Sequence, residues 1–284
     1  MKRLAVLSAL LCAFSGAAAA QSCEPKLGHP PLVRKGYMIA AINPTVAPIQ
    51  YMNEDGEIVG LDPDFGNAIA KRLCLKMEWH STQFATMIPI LKEHRIDLIN
   101  SFMVYTPERA EQVLMIPYGA TSGSVIVGKN NKDKIDGLEY FSGKFLATEL
   151  GTIDYRDAKA VSDQLVKEGK PAIDIHTFGT YADVLQAVVA GQADGGMLGI
   201  EQSVYFRKKG AAFRIAISGM EPHAEALAFS NRELADAVAN VMNEMKADGS
   251  LDKIFEPYGH CLLPGPYKVT TGPEPKFTCP PRKD

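Results

Sequence analysis

Short apolar runs alternate with amphipathic segments along this chain, and that alternation is typical of an α/β protein. Phe65, Ile69 and Leu73 repeat at a spacing of four, which places them on one face of a helix. The predicted strands cover residues 38–42, 96–99, 124–127, 145–148, 194–198 and 213–216, and the predicted helices begin at Asp62, Met87, Asp154, Thr180, Ser230 and Leu251. We find no internal repeat, so the pattern predicts a mixed α/β fold rather than an array.

Several polar residues predict where these elements begin and turn. Asp62 precedes Pro63 and is expected to cap a helix, while Thr180-x-x-Asp183 and Ser230-x-x-Glu233 have the spacing of capping boxes. The segment 53–56, Asn-Glu-Asp-Gly, predicts a hairpin-type turn.

The first twenty residues read as a targeting segment. Lys2 and Arg3 precede an apolar stretch that ends in Ala18-Ala19-Ala20, which is the order of a secretory signal peptide. A lipid anchor on Cys23 is the alternative, although Gln21 fits a lipoprotein signal poorly. Residues 21–284 contain 28 basic and 33 acidic residues, a net charge of −5, so nothing in the composition favours nucleic acid as a partner.

Four cysteines remain after the predicted signal peptide, namely Cys23, Cys74, Cys261 and Cys279. An even number in an exported protein predicts two disulfides, with three possible pairings. Cys261 with Cys279 is a plausible local pair that would close a tail rich in Pro and Gly. No cysteine or histidine spacing supports a zinc site, and we expect neither a metal nor a cofactor.

Two stretches could bind an anion. Thr106 and Pro107 are expected to begin a helix, and Arg109 then lies in its first turn, where its guanidinium could bind a carboxylate through two parallel hydrogen bonds. Gly151 and Thr152 lie between a strand and a helix, which is again the position of an anion site. Either stretch alone could equally be an exposed arginine or an ordinary turn.

From about residue 34 to 260 the order of short motifs resembles the periplasmic amino-acid-binding family of ABC importers. The matching pieces are Asp55-Gly56-x-x-x-Gly60-Leu61-Asp62-x-Asp64, Met87-Ile88-Pro89-x-Leu91, Ile96-Asp97, Thr106-Pro107-Glu108-Arg109, Pro117-Tyr118, Gly151-Thr152, Gly191-Gln192-Ala193-Asp194 and Asp248-Gly249-Ser250 with Ile254. Each piece is weak alone, but their order and intervals are specific.

The resemblance implies a two-lobed periplasmic-binding-protein fold of type II with two crossover hinge strands. Residues 21–120 and 218–284 would form lobe 1, which carries the cysteines, and residues 121–217 would form lobe 2. By the same resemblance, Arg109 holds a ligand carboxylate from lobe 1, and Thr152 meets it from lobe 2.

The departures from the family pattern concern the ligand's amino group. Phe102 and Val104 stand where the family has a small residue and a Ser or Thr, and Gly199 stands where an acidic residue would close the ammonium site. Ile49 replaces an aromatic residue that packs on the ligand, and Phe84 replaces a Trp. The carboxylate clamp is therefore retained, while the usual amine clamp is largely absent.

Two interpretations of the ligand follow. It could be an organic or aromatic acid without an α-amino group, resting against Phe102, Val104 and Tyr105, because a buried ammonium without a partner is costly. Alternatively a carboxylate has moved, and Glu149 pairs with a cationic group of an atypical amino acid. We favour the first interpretation slightly.

Three functions fit these features. We expect a monomeric, non-enzymatic periplasmic protein that captures a small carboxylate by hinge closure and delivers it to the membrane permease of an ABC importer. A periplasmic dehydratase acting on a cyclohexadienyl acid is an alternative, with Glu149, His223 or Glu225 as its general acid. A ligand-sensing subunit of a periplasmic redox system is another.

Overall fold

The computed structural model of the chain describes Cys23 and residues 32–279, so the predicted signal peptide lies outside the described residues. Within them the strands are β1 Tyr37–Ile42, β2 Thr45–Val46, β3 Gln50–Met52, β4 Ile58–Val59, β5 Lys76–Ser81, β6 Leu98–Ile99, β7 Leu114–Gly128, β8 Phe145–Glu149, β9 Asp174–Phe178, β10 Gly195–Gly199, β11 Phe213–Ile217, β12 Pro222–Phe229 and β13 Cys261–Leu262. The helices of the same residues are α1 Leu61–Arg72, α2 Met87–Lys92, α3 Pro107–Ala110, α4 Ile153–Lys167, α5 Tyr181–Val189, α6 Ile200–Lys208, α7 Arg232–Ala247 and α8 Ser250–Phe255.

The strands form two groups that share β7. In the first lobe the order is β5-β1-β6-β12-β7, and in the second lobe it continues as β7-β10-β8-β9, with β11 also paired to β7. Strand β7 pairs with β12 up to Ser122 and with β10 from Gly123 onward, so it crosses from one lobe to the other. The chain returns between β11 and β12. The α/β, two-lobed architecture with two crossovers is therefore confirmed, while the residue bounds of the lobes stay a prediction.

Amphipathic helices pack their apolar faces on this sheet. In α1, Phe65 and Ile69 are fully buried, and Leu73, the residue directly after the helix, is almost fully buried, as their spacing predicted. The inner face of α7 is buried in the same way, through Ala235, Val238, Val241, Met242 and Met245. A separate hydrophobic cluster, which includes Val125, Phe141, Leu146 and Met197, supports the second lobe. Hydrophobic burial on both faces holds the central strands in place.

Two disulfides join Cys23 to Cys74 and Cys261 to Cys279. The predicted local pair at the C-terminal end is thus confirmed. Between these two cysteines the tail runs back over the first lobe, where Thr270 forms a β-bridge with Met115 of β7. The tail is therefore part of the packed structure.

Two predicted helix caps are wrong because tertiary contacts compete for the side chains. Helix α1 begins at Leu61 with Gly60 as its N-cap, so Asp62 lies inside the first turn. The buried carboxylate of Asp62 instead accepts hydrogen bonds from the backbone N–H of Phe102 (2.8 Å) and the hydroxyl of Tyr118 (3.1 Å). In α7 the N-cap is Asn231 rather than Ser230, and its Oδ1 accepts from Leu234 N at 3.0 Å.

Sequence patterns also missed three longer elements. Helix α6 follows β10 directly, with Gly199 as its N-cap and no capping side chain, and it has a mixed polar surface, so the sequence did not mark its start. Strands β5 and β9 lie at the two ends of the strand order, and most of their side chains are exposed or half-buried. Edge strands of this kind lack the apolar run that identifies a central strand.

The corrected cap of α7 gives a direct test. We expect Asn231→Ala to lower the free energy of unfolding by about 1 kcal/mol, because the N–H of Leu234 loses its acceptor. Ser230→Ala, one residue away, should change it by less than about 0.5 kcal/mol. Urea unfolding followed by circular dichroism measures both variants, and equal losses would contradict the assignment.

Candidate functional site

A cavity lies between the two lobes and is called the interlobe cavity below. It encloses about 530 Å³ of space between atoms, including its opening to solvent. The first lobe lines it with Asn43, Val46, Gln50, Phe84, Ser101, Phe102, Val104 and Arg109, the second lobe with Glu149, Thr152, Ile153, Asp154, Tyr181 and Gly199, and the crossovers with Thr121, Ser122, Gly123 and His223. The lining combines apolar side chains with several polar groups, which is typical of a small-molecule site.

Arg109 connects the two lobes at this cavity. Its Nη1 donates to the carbonyl of Val104 at 2.6 Å in the first lobe, and its Nη2 donates to the carbonyl of Gly151 at 2.9 Å in the second. Burial, together with the nearby charge of Arg156, lowers the pKa of Arg109 to about 10, so it stays protonated at neutral pH. Within residues 32–279 it forms no salt bridge, and its positive charge is available to an anion. Helix α3 has only four residues, so the guanidinium matters here more than the helix dipole.

The second lobe brings the start of α4 to the same place. Thr152 is the N-cap of α4: its Oγ1 accepts from Tyr155 N at 3.5 Å and donates to the carbonyl of Glu149 at 2.7 Å. Gly151 has φ +83°, and a Cβ there would lie 3.4 Å from Ala85 of the first lobe. The positive φ, rather than this ordinary contact distance, favours glycine here. Gly151 offers its carbonyl to Arg109 but does not line the cavity, and its contact with a ligand stays a prediction.

Phe102 and Gly199 face each other across the cavity. A Cβ at position 199 would lie 3.0 Å from Cε1 and 3.2 Å from Cζ of the Phe102 ring. The aromatic ring thus occupies the space next to the position where the family resemblance places an acidic residue. Phe102 and Gly199, which depart from the family pattern at two separate places in the sequence, therefore change the shape of the cavity at one and the same place.

The other predicted cavity residues divide into two groups. Val104 and Phe84 line the cavity, and the guanidinium carbon of Arg109 lies 5.3 Å from the centre of the Phe84 ring. Tyr105 and Ile49 do not line it, and their contact with a ligand stays a prediction. The hydroxyl of Tyr105 donates to the carbonyl of Gly272 in the C-terminal tail at 2.9 Å, and Ile49 is buried in the hydrophobic core.

Two buried carboxyl groups lie on the second-lobe side. Burial and the nearby Asp154 raise the pKa of Glu149 to about 8, against a hydrogen bond from Asn43 Nδ2 (2.7 Å) that lowers it. Burial also raises the pKa of Asp154 to about 6, while the hydroxyl of Tyr181, 2.6 Å from Oδ2, opposes that rise. Glu149 was predicted at this site; Asp154 and Tyr181 were not, because each resembles an ordinary helical residue in the sequence.

Gln50 is another residue that sequence reasoning missed. Its side chain is fully buried, and its Nε2 donates to the carbonyl of Asn43 (2.9 Å) and to Ser101 Oγ (2.8 Å). Among the described residues its Oε1 has no hydrogen-bond partner. In the sequence, a polar residue between Ile49 and Tyr51 reads as the solvent-facing position of a strand.

A buried ionic cluster lies beside the crossovers. His260 Nε2 is 2.7 Å from Glu225 Oε2, and His260 Nδ1 is 3.6 Å from Glu201 Oε1. Burial alone would lower the pKa of His260, but Glu225 and Glu201 raise it to about 10. His223 lies outside this cluster, and its Nδ1 faces Glu274 of the tail at 3.3 Å.

This ionic cluster joins three parts of the molecule. Glu201 belongs to the second lobe, Glu225 to crossover strand β12, and His260 to the C-terminal part of the first lobe. Thr121 of crossover strand β7 donates to Glu201 Oε2 at 2.7 Å. The cluster therefore forms a charged connection between the lobes, close to the ring of Phe102, whose centre is 6.3 Å from that of His260.

Comparison with known proteins agrees with this geometry. Residues 38–260 match the family model of bacterial extracellular solute-binding proteins, family 3. The chain belongs to this family. The matched range ends at His260, so the disulfide-closed tail lies beyond it.

Curated relatives of this family member are amino-acid-binding proteins. The arginine-binding extracellular protein ArtP of Bacillus subtilis is 28% identical over 224 residues, which cover 78% of this chain and 85% of the relative. The histidine-binding periplasmic protein of Escherichia coli K12 is 25% identical over 268 residues, which cover 91% of this chain and 97% of the relative. The L-cystine-binding protein TcyJ of the same strain is 23% identical over 231 residues, covering 78% and 82%.

Solved structures give the same result. An ancestral arginine-binding protein bound to arginine superposes with a TM-score of 0.74 at 28% identity, covering 79% of this chain and 98% of that one. The ancestral amino acid-binding protein AncCDT-1, described as a precursor of cyclohexadienyl dehydratase, superposes with a TM-score of 0.65 at 27% identity, covering 78% and 95%.

The ionic cluster predicts a strong effect of His260→Gln. Removing the cation leaves buried carboxylates unpaired, so we expect a loss of about 3–5 kcal/mol, or a melting temperature lower by roughly 6–20 °C. The pKa of His260 is raised in the folded state. The stabilisation of the folded state by its imidazolium charge is therefore complete below about pH 6.5 and disappears as the pH rises through about 10.

The measurement is differential scanning calorimetry at pH 6, 8 and 10, with His80→Gln as a matched exposed control. The difference in melting temperature between the parent and His260→Gln should decrease toward pH 10, while the melting temperature of the control follows that of the parent at every pH. A difference that stays constant or increases would show that the imidazolium charge is not what stabilises the cluster.

Proposed function

We propose that this protein captures a small ligand carrying a carboxylate in the interlobe cavity and delivers it to the membrane subunits of an ABC importer. The observation that carries the proposal concerns Arg109, which lines the cavity and donates hydrogen bonds to carbonyls of both lobes. Among the described residues this cation has no salt-bridge partner. A carboxylate can meet this fork through two parallel hydrogen bonds.

Ligand capture would work by shifting a population toward the closed state. Arg109 to Gly151 and Asn43 to Glu149 are bonds between lobes, and they form only when the lobes are together. A ligand that adds its own contacts to both sides favours that state by its differential affinity. The crossovers at β7 and between β11 and β12 would absorb the rotation, with residues 21–120 and 218–284 moving against residues 121–217.

The relatives support this class of ligand. Their printed names specify arginine, histidine and cystine, each of which has a carboxylate. We propose the periplasm as the location, reached through the signal peptide of residues 1–20, and a monomer as the active form. The two disulfides suit an oxidising compartment.

A second candidate function is dehydration of a cyclohexadienyl acid. Glu149 favours it, because a cavity carboxyl whose pKa is about 8 is protonated at neutral pH and could donate a proton to a leaving hydroxide. The likeness to a precursor of cyclohexadienyl dehydratase points the same way. We favour binding without catalysis, and expect no change in ultraviolet absorbance when the protein is incubated with a cyclohexadienyl carboxylic acid.

Arg109 gives the test of the proposed function. In a thermal-shift screen of amino acids and organic acids, at least one carboxylate should raise the melting temperature of the parent. Arg109→Ala should bind that compound ~100-fold more weakly by titration calorimetry, because a charge-assisted pair in the cavity is lost.

Arg156→Ala is the matched control. Arg156 is half-exposed, pairs with Glu108 at 3.1 Å and does not line the cavity. Its replacement by Ala changes the net charge by the same amount as Arg109→Ala does, but should leave the affinity for the ligand within about threefold of the parent's. Equal affinity of Arg109→Ala and the parent would overturn the proposal.

A further inference from the structure

A histidine of the second crossover lines the interlobe cavity and is bonded to the C-terminal tail. His223 belongs to β12, and 19% of its side chain is exposed at the cavity. Its Nδ1 lies 3.3 Å from Glu274 Oε2, and Glu274 Oε1 accepts from the backbone N–H of Ala224 at 2.5 Å. The tail carboxylate therefore contacts both a cavity side chain and the backbone of the next residue, which fixes the carboxylate relative to the ring.

The tail itself holds Glu274 in this place. Two residues earlier, the carbonyl of Gly272 accepts from the hydroxyl of Tyr105 at 2.9 Å. A proline precedes Glu274 and another follows it, which restricts the backbone on both sides. The disulfide between Cys261 and Cys279 closes the loop that carries these residues. The carboxylate is therefore presented to β12 by an anchored segment.

The contact with Glu274 decides which nitrogen of His223 carries a proton. A carboxylate accepts hydrogen bonds and cannot donate one, so the contact requires the proton on Nδ1. In a neutral imidazole the other nitrogen, Nε2, then has a free lone pair. Nε2 forms no hydrogen bond within the described part of the chain, so it is the polar atom of the ring that remains for a ligand.

The imidazole also interacts with carboxyl groups of the second lobe. Burial raises the pKa of Asp154 to about 6, and the charge of His223 acts against this rise. Burial raises the pKa of Asp157 as well, again against the effect of His223. Both aspartates belong to α4, and Asp154 lines the cavity. His223 thus interacts with the tail on one side and with the second lobe on another.

We propose that Glu274 is a positioning residue that fixes His223 as a ligand-contacting side chain of the interlobe cavity. No residue between 261 and 279 lines the cavity, so the tail takes part in ligand selection only through this imidazole. The matched family range ends at residue 260, so Glu274 lies outside the family model. The inference rests on the proposed function, because it takes the interlobe cavity as the ligand site.

Nitrogen NMR of protein labelled with nitrogen-15 at histidine tests the positioning without a ligand. The signals of His223 are those that disappear in His223→Leu. At pH 9, where an ordinary histidine is neutral, Nδ1 of His223 should carry a proton in the parent. Glu274→Ala should transfer most of this population to the form protonated at Nε2, because the acceptor beside Nδ1 is lost. Equal protonation of Nδ1 in both proteins would overturn the positioning role.

Two further variants keep this measurement decisive. Glu256→Ala is the matched control, since Glu256 is exposed and does not line the cavity, and it should leave the His223 signals as in the parent. Glu274→Gln replaces Glu274→Ala if that variant fails to fold. Its amide oxygen can still accept from Ala224, while its amide nitrogen offers no acceptor to Nδ1.

Ligand affinity tests the contact itself. The probes are the protein amino acids, succinate and benzoate, and titration calorimetry uses each one that raises the melting temperature of the parent. His223→Leu should bind at least one of them about tenfold more weakly, because a hydrogen bond to the ligand is lost. Glu274→Ala should weaken the same probe by roughly threefold or more. Added to His223→Leu, Glu274→Ala should have no further effect, because it acts through the ring.

The outcomes separate this inference from the proposed function. Unchanged affinity of His223→Leu for every bound probe would overturn the inference, while Arg109→Ala still decides the proposed function. Independent, additive losses in His223→Leu and Glu274→Ala would show that Glu274 acts on the structure at large, which also overturns it. If no probe binds the parent, the proposed function is wrong and the ligand contact falls with it.

Discussion

Arg109 is a central contact between the two lobes, because its guanidinium donates to Val104 in one lobe and to Gly151 in the other. Arg109 stays protonated at neutral pH because its pKa, although lowered by burial, is about 10, and no carboxylate within residues 32–279 forms a salt bridge with it. The same contacts that hold the lobes together thus leave the cavity positively charged on one side. In the proposed function, closure and anion recognition share this group, so a ligand that engages Arg109 would add to an interaction that already connects the two lobes.

Shape and charge on the remaining walls follow from residues that depart from the family pattern. The ring of Phe102 fills the space beside Gly199, and an acidic side chain at 199 would collide with it. Carboxyl groups lie instead at Glu149 and Asp154, where burial raises the pKa values to about 8 and about 6, so Glu149 is mostly protonated at neutral pH. The cavity is therefore positive at Arg109 and is lined by two buried carboxyl groups, Glu149 and Asp154, on the second-lobe side.

Behind the cavity, the buried charges of His260, Glu225 and Glu201 connect both lobes and a crossover strand. A buried ion pair contributes little net stability compared with an apolar contact, but it is costly to separate. These charges consequently favour a defined relative position of the lobes. The tail beyond residue 260 contacts the second crossover through Glu274 at His223 and the first lobe through Gly272 at Tyr105, and Cys279 fixes its end to Cys261.

The sequence by itself determined the α/β class, most central strands and helices, the local disulfide and the importance of Arg109 and Glu149, because apolar periodicity, turn residues and motif order are local signals. Only the tertiary structure decided the partners of Asp62, the contact of Phe102 with Gly199, the burial of Gln50 and the ionic cluster at His260. Each joins residues far apart in the chain, and a polar side chain has the same appearance in sequence whether it faces water or a buried partner. Long-range packing supplies that distinction, since burial makes a missing hydrogen bond or an unpaired charge costly.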